Sequence, residues 1–272
     1  METPLSFAAR LTASFALGCL KPKSRVLDVG CGDGAIAAAM MKGGLTVTAI
    51  DPSQSAVEKT TAVGVTCFNS DLEKFAHEEF DALLCSRSLH HMQPLDKAIA
   101  AAYRLLKPNG LLLVEDFGYE RVDQKTAIWL FNLAQLIAAE DRPPRSKKDE
   151  DVKHNSDGLK EKHGHSWLTA ERHESTTLGP GHEQAEAISI WRHHHEIDHH
   201  VSSFERVKNA LLDKFDIIEE RSVPYLFHYL CDLLPATKSG ADRASLIYNW
   251  ERELAQVGGI EMCGARIIAI KS

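Results

Sequence analysis

Short apolar runs alternate with longer segments of helical periodicity between residues 25 and 117. Each run is rich in Val, Ile, Leu or Ala and is bounded by glycine, proline or acidic residues, which is the pattern of a buried strand. The predicted strands cover residues 25–30, 46–51, 65–68, 80–86 and 111–117, and the predicted helices cover residues 7–20, 35–42, 54–62 and 96–106. This alternation predicts right-handed βαβ units and a parallel sheet with helices on both faces.

The pattern changes after residue 117. A helix is predicted at 124–140, whereas residues 141–181 are polar, charged and poor in apolar positions, which is typical of a linker, a lid or a disordered insert. Downstream, the pattern predicts helices at 185–201, 224–234 and 243–256, a sixth strand at 215–223 and a closing strand at 266–270.

Composition narrows the classes of function. The net charge is -7, and the apolar and charged fractions of 44% and 25% are ordinary for a globular protein. The acidic balance argues against a nucleic-acid partner, because binding phosphates requires clustered Lys and Arg. No apolar run approaches the roughly 18 residues that a membrane span needs, and residues 1–20 lack the charge pattern of a signal peptide. We therefore expect a cytoplasmic protein without a membrane partner.

A glycine-rich loop at residues 30–34 follows the first predicted strand, and the second predicted strand ends at Asp51. This arrangement is typical of nucleotide-binding domains, because glycines let backbone N–H groups approach a ligand and the acid can accept hydrogen bonds from ribose hydroxyls. The third glycine comes too early for the GxGxxG pattern that binds pyrophosphate. Asp33 in the loop would repel a pyrophosphate, but it suits a cation such as a sulfonium with an α-amino group.

Four sequence blocks, in this order and spacing, carry a resemblance to a known family: residues 26–34, 49–53, 80–92 and 105–114. With them the chain resembles class I S-adenosylmethionine-dependent methyltransferases of the small-molecule (type 11/25-like) group. The resemblance is strong over residues 24–117, weak over the C-terminal strands and absent from residues 141–200. It implies a three-layer, Rossmann-like, doubly wound α/β fold of about seven mostly parallel strands, the last one antiparallel. Residues 1–120 and 210–272 would form this domain, and residues 121–209 would be an inserted, partly flexible, His-rich cap.

The resemblance also implies the cofactor-binding residues. The loop backbone would line the methionine part of S-adenosylmethionine, Asp28 would hold the loop or the amino group, and Asp51 would bind the ribose diol. The adenine would lie near Pro52 and Asp71. The complete implied set is Asp28, Gly30, Cys31, Gly32, Asp51, Pro52, Asp71, Leu72, Cys85 and Ser86. From the residues alone, an acid at a strand end such as Asp51 or Asp71 could also serve only as a helix cap or turn former.

Residues 193–200 contain five of the 14 histidines of the chain. On a helix, His195 and His199 would lie at i and i+4 on one face, a spacing that can bind a metal. The segment has no HExxH motif and no matched distant ligand, so we expect no metal site. Two other interpretations stay open, namely a solvated polar helix, or a cap that lines the acceptor pocket and provides a general base.

For methyl transfer to a hydroxyl or an amine, a base can assist by taking the proton, and histidine is the usual candidate. Whether this chain uses one stays open at this point. Inserts between the fifth and sixth strands commonly form the acceptor lid in the resembled family, and there His90 and His91 more often pack beside the cofactor. The candidate catalytic residues are His91, His194, His195 and His199, and the candidate substrate contacts are Trp191, Tyr225, His228 and Tyr229. The two tyrosines could instead belong to the core.

The predicted function is transfer of the sulfonium methyl group to a small-molecule acceptor by in-line displacement. Two alternatives stay open at this point. One is a methyltransferase acting on RNA, such as a modified tRNA base, which the acidic chain disfavours. The other is a catalytically inactive, cofactor-binding partner subunit, which the complete loop and the presence of Asp51 disfavour.

Overall fold

The computed structural model describes residues 2–140, 166–169 and 182–272. Seven strands occur in this part of the chain and form a single sheet. They are β1 (Arg25–Val29), β2 (Thr46–Asp51), β3 (Thr66–Asn69), β4 (Phe80–Ser86), β5 (Leu106–Phe117), β6 (Asp216–Val223) and β7 (Gly264–Ile270). Their order across the sheet is β3-β2-β1-β4-β5-β7-β6.

Strands β1 to β5 are parallel, and β7 runs antiparallel between β5 and β6. These pairings confirm the predicted fold class, including the antiparallel last strand. The strand order reverses between β1 and β4, so the loops that leave their carboxyl ends diverge and open a crevice. In open α/β sheets, ligands bind at such a point.

The helices of the described residues cover both faces of the sheet and its carboxyl edge. They are α1 (Pro4–Cys19), α2 (Ala35–Lys42), α3 (Gln54–Ala62), α4 (Leu95–Leu105), α5 (Gln124–Glu140), α6 (Ser166–Thr169), α7 (His182–His193), α8 (Phe204–Leu212), α9 (Phe227–Cys231) and α10 (Lys238–Gln256). None of the helices in these residues is both long and apolar enough to cross a membrane.

Side chains alternate between the two faces of the central strands, as the pleat requires. Leu27 and Leu83 pack on one face against α4 and α8, whereas Val26 and Leu84 pack on the other face against α1 and α2. Both faces are therefore buried, which explains why the central strands are almost continuously apolar.

A third buried cluster lies beyond the carboxyl end of β5. It joins parts of α1, α5, α7, α9 and α10 around the large side chains of Phe117, Phe131 and Trp191. Helix α8 begins before the predicted boundary at residue 209 and packs on the sheet together with α4. The division of the chain into a domain and an inserted cap stays a prediction.

Several predicted elements differ in extent. The helix predicted at 224–234 is only Phe227–Cys231. At its start, the carboxylate of Glu251 accepts from the backbone amides of Tyr225, Leu226 and Phe227. Helix α10 begins earlier than residue 243, at a Thr237 cap whose side chain accepts from the Gly240 amide. The polar segment predicted at 141–181 lies outside the described residues, except for α6.

Candidate active site

The glycine loop leaves β1 and folds back onto β2. The Gly30 amide donates to the Ile50 carbonyl at 2.9 Å, and Gly30 has a φ of 75°. A Cβ atom at this position would stand 2.8 Å from Cβ of Ser88, so both the backbone conformation and the space require glycine. The loop therefore lies flat against the segment that follows β4.

Asp51, at the end of β2, holds this loop in place. Its Oδ2 accepts from the Gly32 amide at 3.0 Å, and its Oδ1 accepts from the Ser53 amide at 2.9 Å. Sequence reasoning did not anticipate this clamp. Each carboxylate oxygen keeps a further lone pair, so ribose binding by Asp51 stays a prediction that the geometry allows.

Asp28 lies beneath the loop and is 2% exposed. Its Oδ2 has no hydrogen-bond partner among the described residues. The same holds for the hydroxyls of Ser86, the last residue of β4, and of Ser88 just after it. Burial raises the pKa of Asp28 to about 7, against the opposing effect of the Arg87 charge. A buried carboxylate oxygen without a hydrogen-bond donor destabilises the folded state unless a ligand pairs with it, and a cationic ligand can do so.

Two cavities meet at the crevice. The first, of about 570 Å³, lies on the β2 side and is lined by the predicted adenosine contacts Asp51, Pro52, Asp71 and Leu72. Leu72 is buried, whereas Asp71 is exposed and pairs with Lys74 at 2.6 Å. The structure therefore brings this half of the predicted cofactor set together. Cys85 is fully buried below the cavity, and Ser86 reaches the neighbouring one.

The second cavity, of about 500 Å³, lies between the loop and the third buried cluster. Nine aromatic and imidazole rings line it: His90, His91, Phe117, His194, His195, His199, Tyr225, His228 and Tyr229. The predicted loop residues Gly30, Cys31 and Gly32 line its opposite side. Both cavities include Gly30, Arg87 and His91, so they are two ends of one cleft.

His90 and Asp116 form a buried pair at the wall of this second cavity. Nδ1 of His90 lies 2.5 Å from Oδ1 of Asp116, and the His90 amide donates to Oδ2 at 3.3 Å. The two residues are 4% and 1% exposed. Because the carboxylate accepts the Nδ1 proton, Nε2 is left as the basic nitrogen. Asp116 escaped the sequence reasoning, although an acid at the end of an apolar strand was a usable signal.

His91 stands on the cleft surface beside His90, with the ring centroids 4.1 Å apart. Desolvation by the cleft walls and the neighbouring His90 ring lower the pKa of His91. A lowered pKa makes this imidazole a weaker proton acceptor than an unperturbed histidine.

His195 is held by the protein at both ring nitrogens. Nδ1 lies 2.8 Å from the Trp191 carbonyl, and Nε2 lies 2.9 Å from the Tyr229 hydroxyl. Burial lowers the pKa of His195 to about 3. Trp191 is fully buried behind His195, donates from Nε1 to the Tyr119 carbonyl, and does not line the cavity. These contacts favour a supporting role for His195 and Trp191 in the wall.

The helix that carries the histidines changes register after His193. Residues His194–Asp198 form a π-helical turn, in which the His199 amide donates to the His194 carbonyl. As a result His194 and His199 face each other with ring centroids 4.3 Å apart, instead of the expected pairing of His195 with His199. Within the described residues, no group of three or more metal-binding side chains is close enough to hold an ion.

The opposite wall comes from the segment after β6. Tyr225 stacks on Phe117, with ring centroids 4.4 Å apart and planes 10° apart. Glu251 of α10 fixes this segment, because its carboxylate accepts from the backbone amides of Tyr225, Leu226 and Phe227 at 2.6, 2.9 and 3.0 Å. Burial raises the pKa of Glu251 to about 7.

Arg87, directly after β4, has a φ of 54°, which costs a non-glycine residue about 1–3 kcal/mol. Its Nη1 donates to Nδ1 of His228 at 2.8 Å. His228 thus lines the cavity as predicted, although its described contact is with Arg87. Arg87 was not among the residues predicted for the site, because no motif marks it.

Comparison with known proteins agrees with this geometry. A family profile described as "Methyltransferase domain" matches residues 5–173, more than half of the 272 residues. The ubiquinone biosynthesis O-methyltransferase of Rickettsia conorii (strain ATCC VR-613 / Malish 7) is 32% identical over 99 residues, which cover 34% of this chain and 34% of that protein. The protein of the same name from Pseudomonas entomophila (strain L48) is 35% identical over 95 residues, covering 32% of this chain and 41% of the relative. The similarity thus spans less than half the length of these two relatives.

Solved structures share the fold over nearly the whole chain. A putative sarcosine dimethylglycine methyltransferase from Galdieria sulphuraria has a TM-score of 0.51 at 12% identity, covering 97% of this chain and 85% of that one. The [4+2]-cyclase SpnF has a TM-score of 0.50 at 18% identity, covering 97% and 80%. At these identities the likeness concerns the fold alone.

The fold, the glycine loop and the family match together define the class: the chain belongs to the methyltransferase-domain family, among the class I S-adenosylmethionine-dependent methyltransferases. S-adenosylmethionine is the cofactor of this class. The residues present fit it, because the unused carboxylate oxygen of Asp28 suits the α-ammonium group and the glycine loop leaves room for the methionine chain. Asp51, Pro52 and Leu72 would hold the adenosine end.

Proposed function

We propose that this protein transfers a methyl group from S-adenosylmethionine to a small-molecule acceptor bound in the ring-lined cavity, with His90 as the general base. The observation that carries this proposal is the buried His90–Asp116 pair on the wall of the cavity that also contains the glycine loop. A cavity of about 500 Å³ has the size of a small-molecule site. The net charge of -7 supports a small acceptor over a polyanionic one.

The bound cofactor supplies an electrophilic methyl group, so the acceptor atom needs alignment and, for a hydroxyl or amine, loss of a proton. The glycine loop would align the cofactor and the aromatic wall would align the acceptor. Alignment of this kind can supply roughly 7–11 kcal/mol of a barrier. Nε2 of His90 takes the proton from the acceptor atom. Asp116 holds the imidazole in the required tautomer and stabilises the charge that forms on it.

His90 supports this role better than the histidines selected from the sequence. His195 has both ring nitrogens bonded within the protein. His194 and His199 face each other across the π-helical turn. Nδ1 of His90 is bonded to the buried carboxylate of Asp116, which is the arrangement that fixes the tautomer and leaves Nε2 as the proton acceptor.

The proposal is tested in two stages. S-adenosylhomocysteine release is first screened over a panel of phenols, alcohols, amines and thiols to find an acceptor. With the acceptor found in this way as substrate, the His90→Gln variant is expected to have a kcat about 10²- to 10⁴-fold lower. Its affinity for S-adenosylhomocysteine should stay nearly constant. Asp116→Asn should lower kcat and shift the pH profile of kcat/KM, since the imidazole loses its charged partner.

The matched control is His77→Gln, because His77 is exposed and packs on Phe75 and Phe80 away from the cleft. This variant should retain the wild-type rate. Full activity of His90→Gln over the whole pH range would remove His90 from the mechanism. An unchanged pH profile in Asp116→Asn would show that the pair has only a structural role.

A further inference from the structure

Arg87 is a cation placed where the two halves of the cleft meet, since it lines both cavities. Among the residues that the structure describes, its guanidinium bonds only to His228, and no carboxylate forms an ion pair with it. A half-buried guanidinium has several N–H donors in a planar fork. One imidazole nitrogen uses a small part of that capacity. Because Arg87 lines the cleft, further N–H donors are available to a ligand there.

Asp28, the acid beneath the glycine loop, does not fully neutralise this charge. Asp28 interacts electrostatically with Arg87, but burial is the larger effect and raises the pKa of Asp28 to about 7. At neutral pH the carboxyl is therefore only partly ionised. Asp33 and Asp232 also line the ring-lined cavity, but the guanidinium of Arg87 is bonded to an imidazole and not to a carboxylate. It can therefore attract an anionic group of a molecule that binds there.

The position of the guanidinium indicates which molecule carries the anion. Its Nη1 is bonded to His228, and His228 lines the ring-lined cavity but not the adenosine-side cavity. The ring of Tyr225 lies 5.2 Å from that of His228 and stacks on Phe117. Nη1 of Arg87 thus lies on the side of the ring-lined cavity, beside a wall of flat rings.

We propose that the acceptor is an aromatic acid, whose carboxylate binds the Arg87 guanidinium and whose ring packs beside Tyr225 and Phe117. This inference rests on the proposed function, because it concerns the acceptor of the same cavity. Guanidinium and carboxylate match each other in a bidentate geometry that an ammonium cannot reproduce. His228 acts as a positioning residue, because its ring nitrogen holds the guanidinium of Arg87 at the ring-lined cavity.

The test is calorimetric and uses the full chain saturated with S-adenosylhomocysteine. The probes are 4-hydroxybenzoate and its neutral isostere 4-hydroxybenzamide. The wild type should bind the carboxylate at least about tenfold more tightly than the amide, the effect of one charge-assisted bidentate contact. Arg87→Met should bind the two probes equally, and Arg87→Lys should keep a smaller preference for the carboxylate.

Two further measurements make the test specific. Arg252→Met carries the same substitution at an exposed position of α10 and should retain the wild-type preference. Affinities for S-adenosylhomocysteine and 5′-methylthioadenosine, which lacks the amino-acid part, are measured for Arg87→Met. If only the affinity for S-adenosylhomocysteine falls, Arg87 binds the carboxylate of the cofactor, and the acceptor assignment is wrong.

Equal binding of both probes to the wild type, or no binding of either beside the saturated cofactor site, would also overturn the inference. These results would leave the proposed function intact, since the acceptor screen and the His90 variants test it independently. Conversely, failure of the screen with a carboxylate preference still present would contradict methyl transfer but not the anion site.

Discussion

At the scale of single residues, the chemistry of the cleft depends on contacts between distant parts of the chain. The places of the glycine loop and of Asp51 beside the cleft were predictable, because they follow from local spacing after a strand. The pairing of His90 with Asp116 was not, because it depends on how far β5 extends past β4. Likewise, the position of Asp28 follows from the sequence, but its unused oxygen is visible only once its surroundings are known.

Asp28→Asn tests the consequence of that unused oxygen. Because the folded-state pKa of about 7 lies above the usual value of 3.8, the folded protein holds a proton that the unfolded chain loses. Stability contributed by this group is present below the unfolded pKa and is lost as pH rises towards 7, by up to about 1.4 kcal/mol per pH unit. Urea unfolding between pH 4 and 8 should show a shallower decline in the variant.

The same variant should bind S-adenosylhomocysteine more weakly at pH 8, where the wild-type carboxylate is ionised and attracts the ammonium group. We expect a loss of about tenfold or more. Some decline in stability with pH should remain in the variant, because Glu251 also has a raised pKa. An identical slope in wild type and variant would mean that Asp28 is already ionised at low pH.

At the scale of elements, the apolar pattern predicted the central strands well, because both faces of a parallel sheet are buried and the runs are continuous. The pattern failed where tertiary contacts override local preference. The π-helical turn at His194–Asp198 contains His195, whose Nε2 lies 2.9 Å from the hydroxyl of Tyr229, 34 residues away in sequence. No local periodicity encodes that contact. The short α9 depends on Glu251, about 25 residues away in sequence.

Glu251→Gln tests that dependence. A glutamine offers one carbonyl oxygen and one NH₂ group, so at least one amide of the segment at Tyr225–Phe227 loses its acceptor and meets a donor instead. For a buried, charge-assisted hydrogen bond we expect a loss of about 3 kcal/mol in the free energy of unfolding. Chemical denaturation measures it, with Glu253→Gln, exposed on the same helix, as a control that stays near wild type.

The clamp also positions Tyr225, so the variant should raise the KM for the acceptor found by screening. Affinity for S-adenosylhomocysteine should change little, since Glu251 is not part of either cavity wall. A variant as stable as the wild type would show that the three amides find other partners.

At the scale of the whole molecule, three buried clusters converge on one cleft. The two faces of the sheet carry the glycine loop and the β4 end, and the third cluster provides the ring-lined wall. The clusters on the two faces of the sheet could be predicted from the sequence, because the apolar pattern of their strands and helices is regular and resembles that of a known family. The third cluster combines helices from both ends of the chain, and its composition could be foreseen only as scattered aromatic residues.

This convergence predicts that cofactor binding stabilises the whole chain and not only the loop. A ligand that binds the folded state alone raises the free energy of unfolding by about 2.7 kcal/mol at a hundredfold excess over its Kd. S-adenosylhomocysteine should therefore raise the urea midpoint. Tryptophan fluorescence follows it, since three of the four tryptophans, Trp129, Trp167 and Trp191, lie in the third cluster or pack against it. 5′-Methylthioadenosine should do so less at equal concentration, because it cannot reach Asp28. If tryptophan fluorescence and circular dichroism reported different midpoints with the ligand bound, the third cluster would unfold separately, and the cleft could not couple it to the sheet.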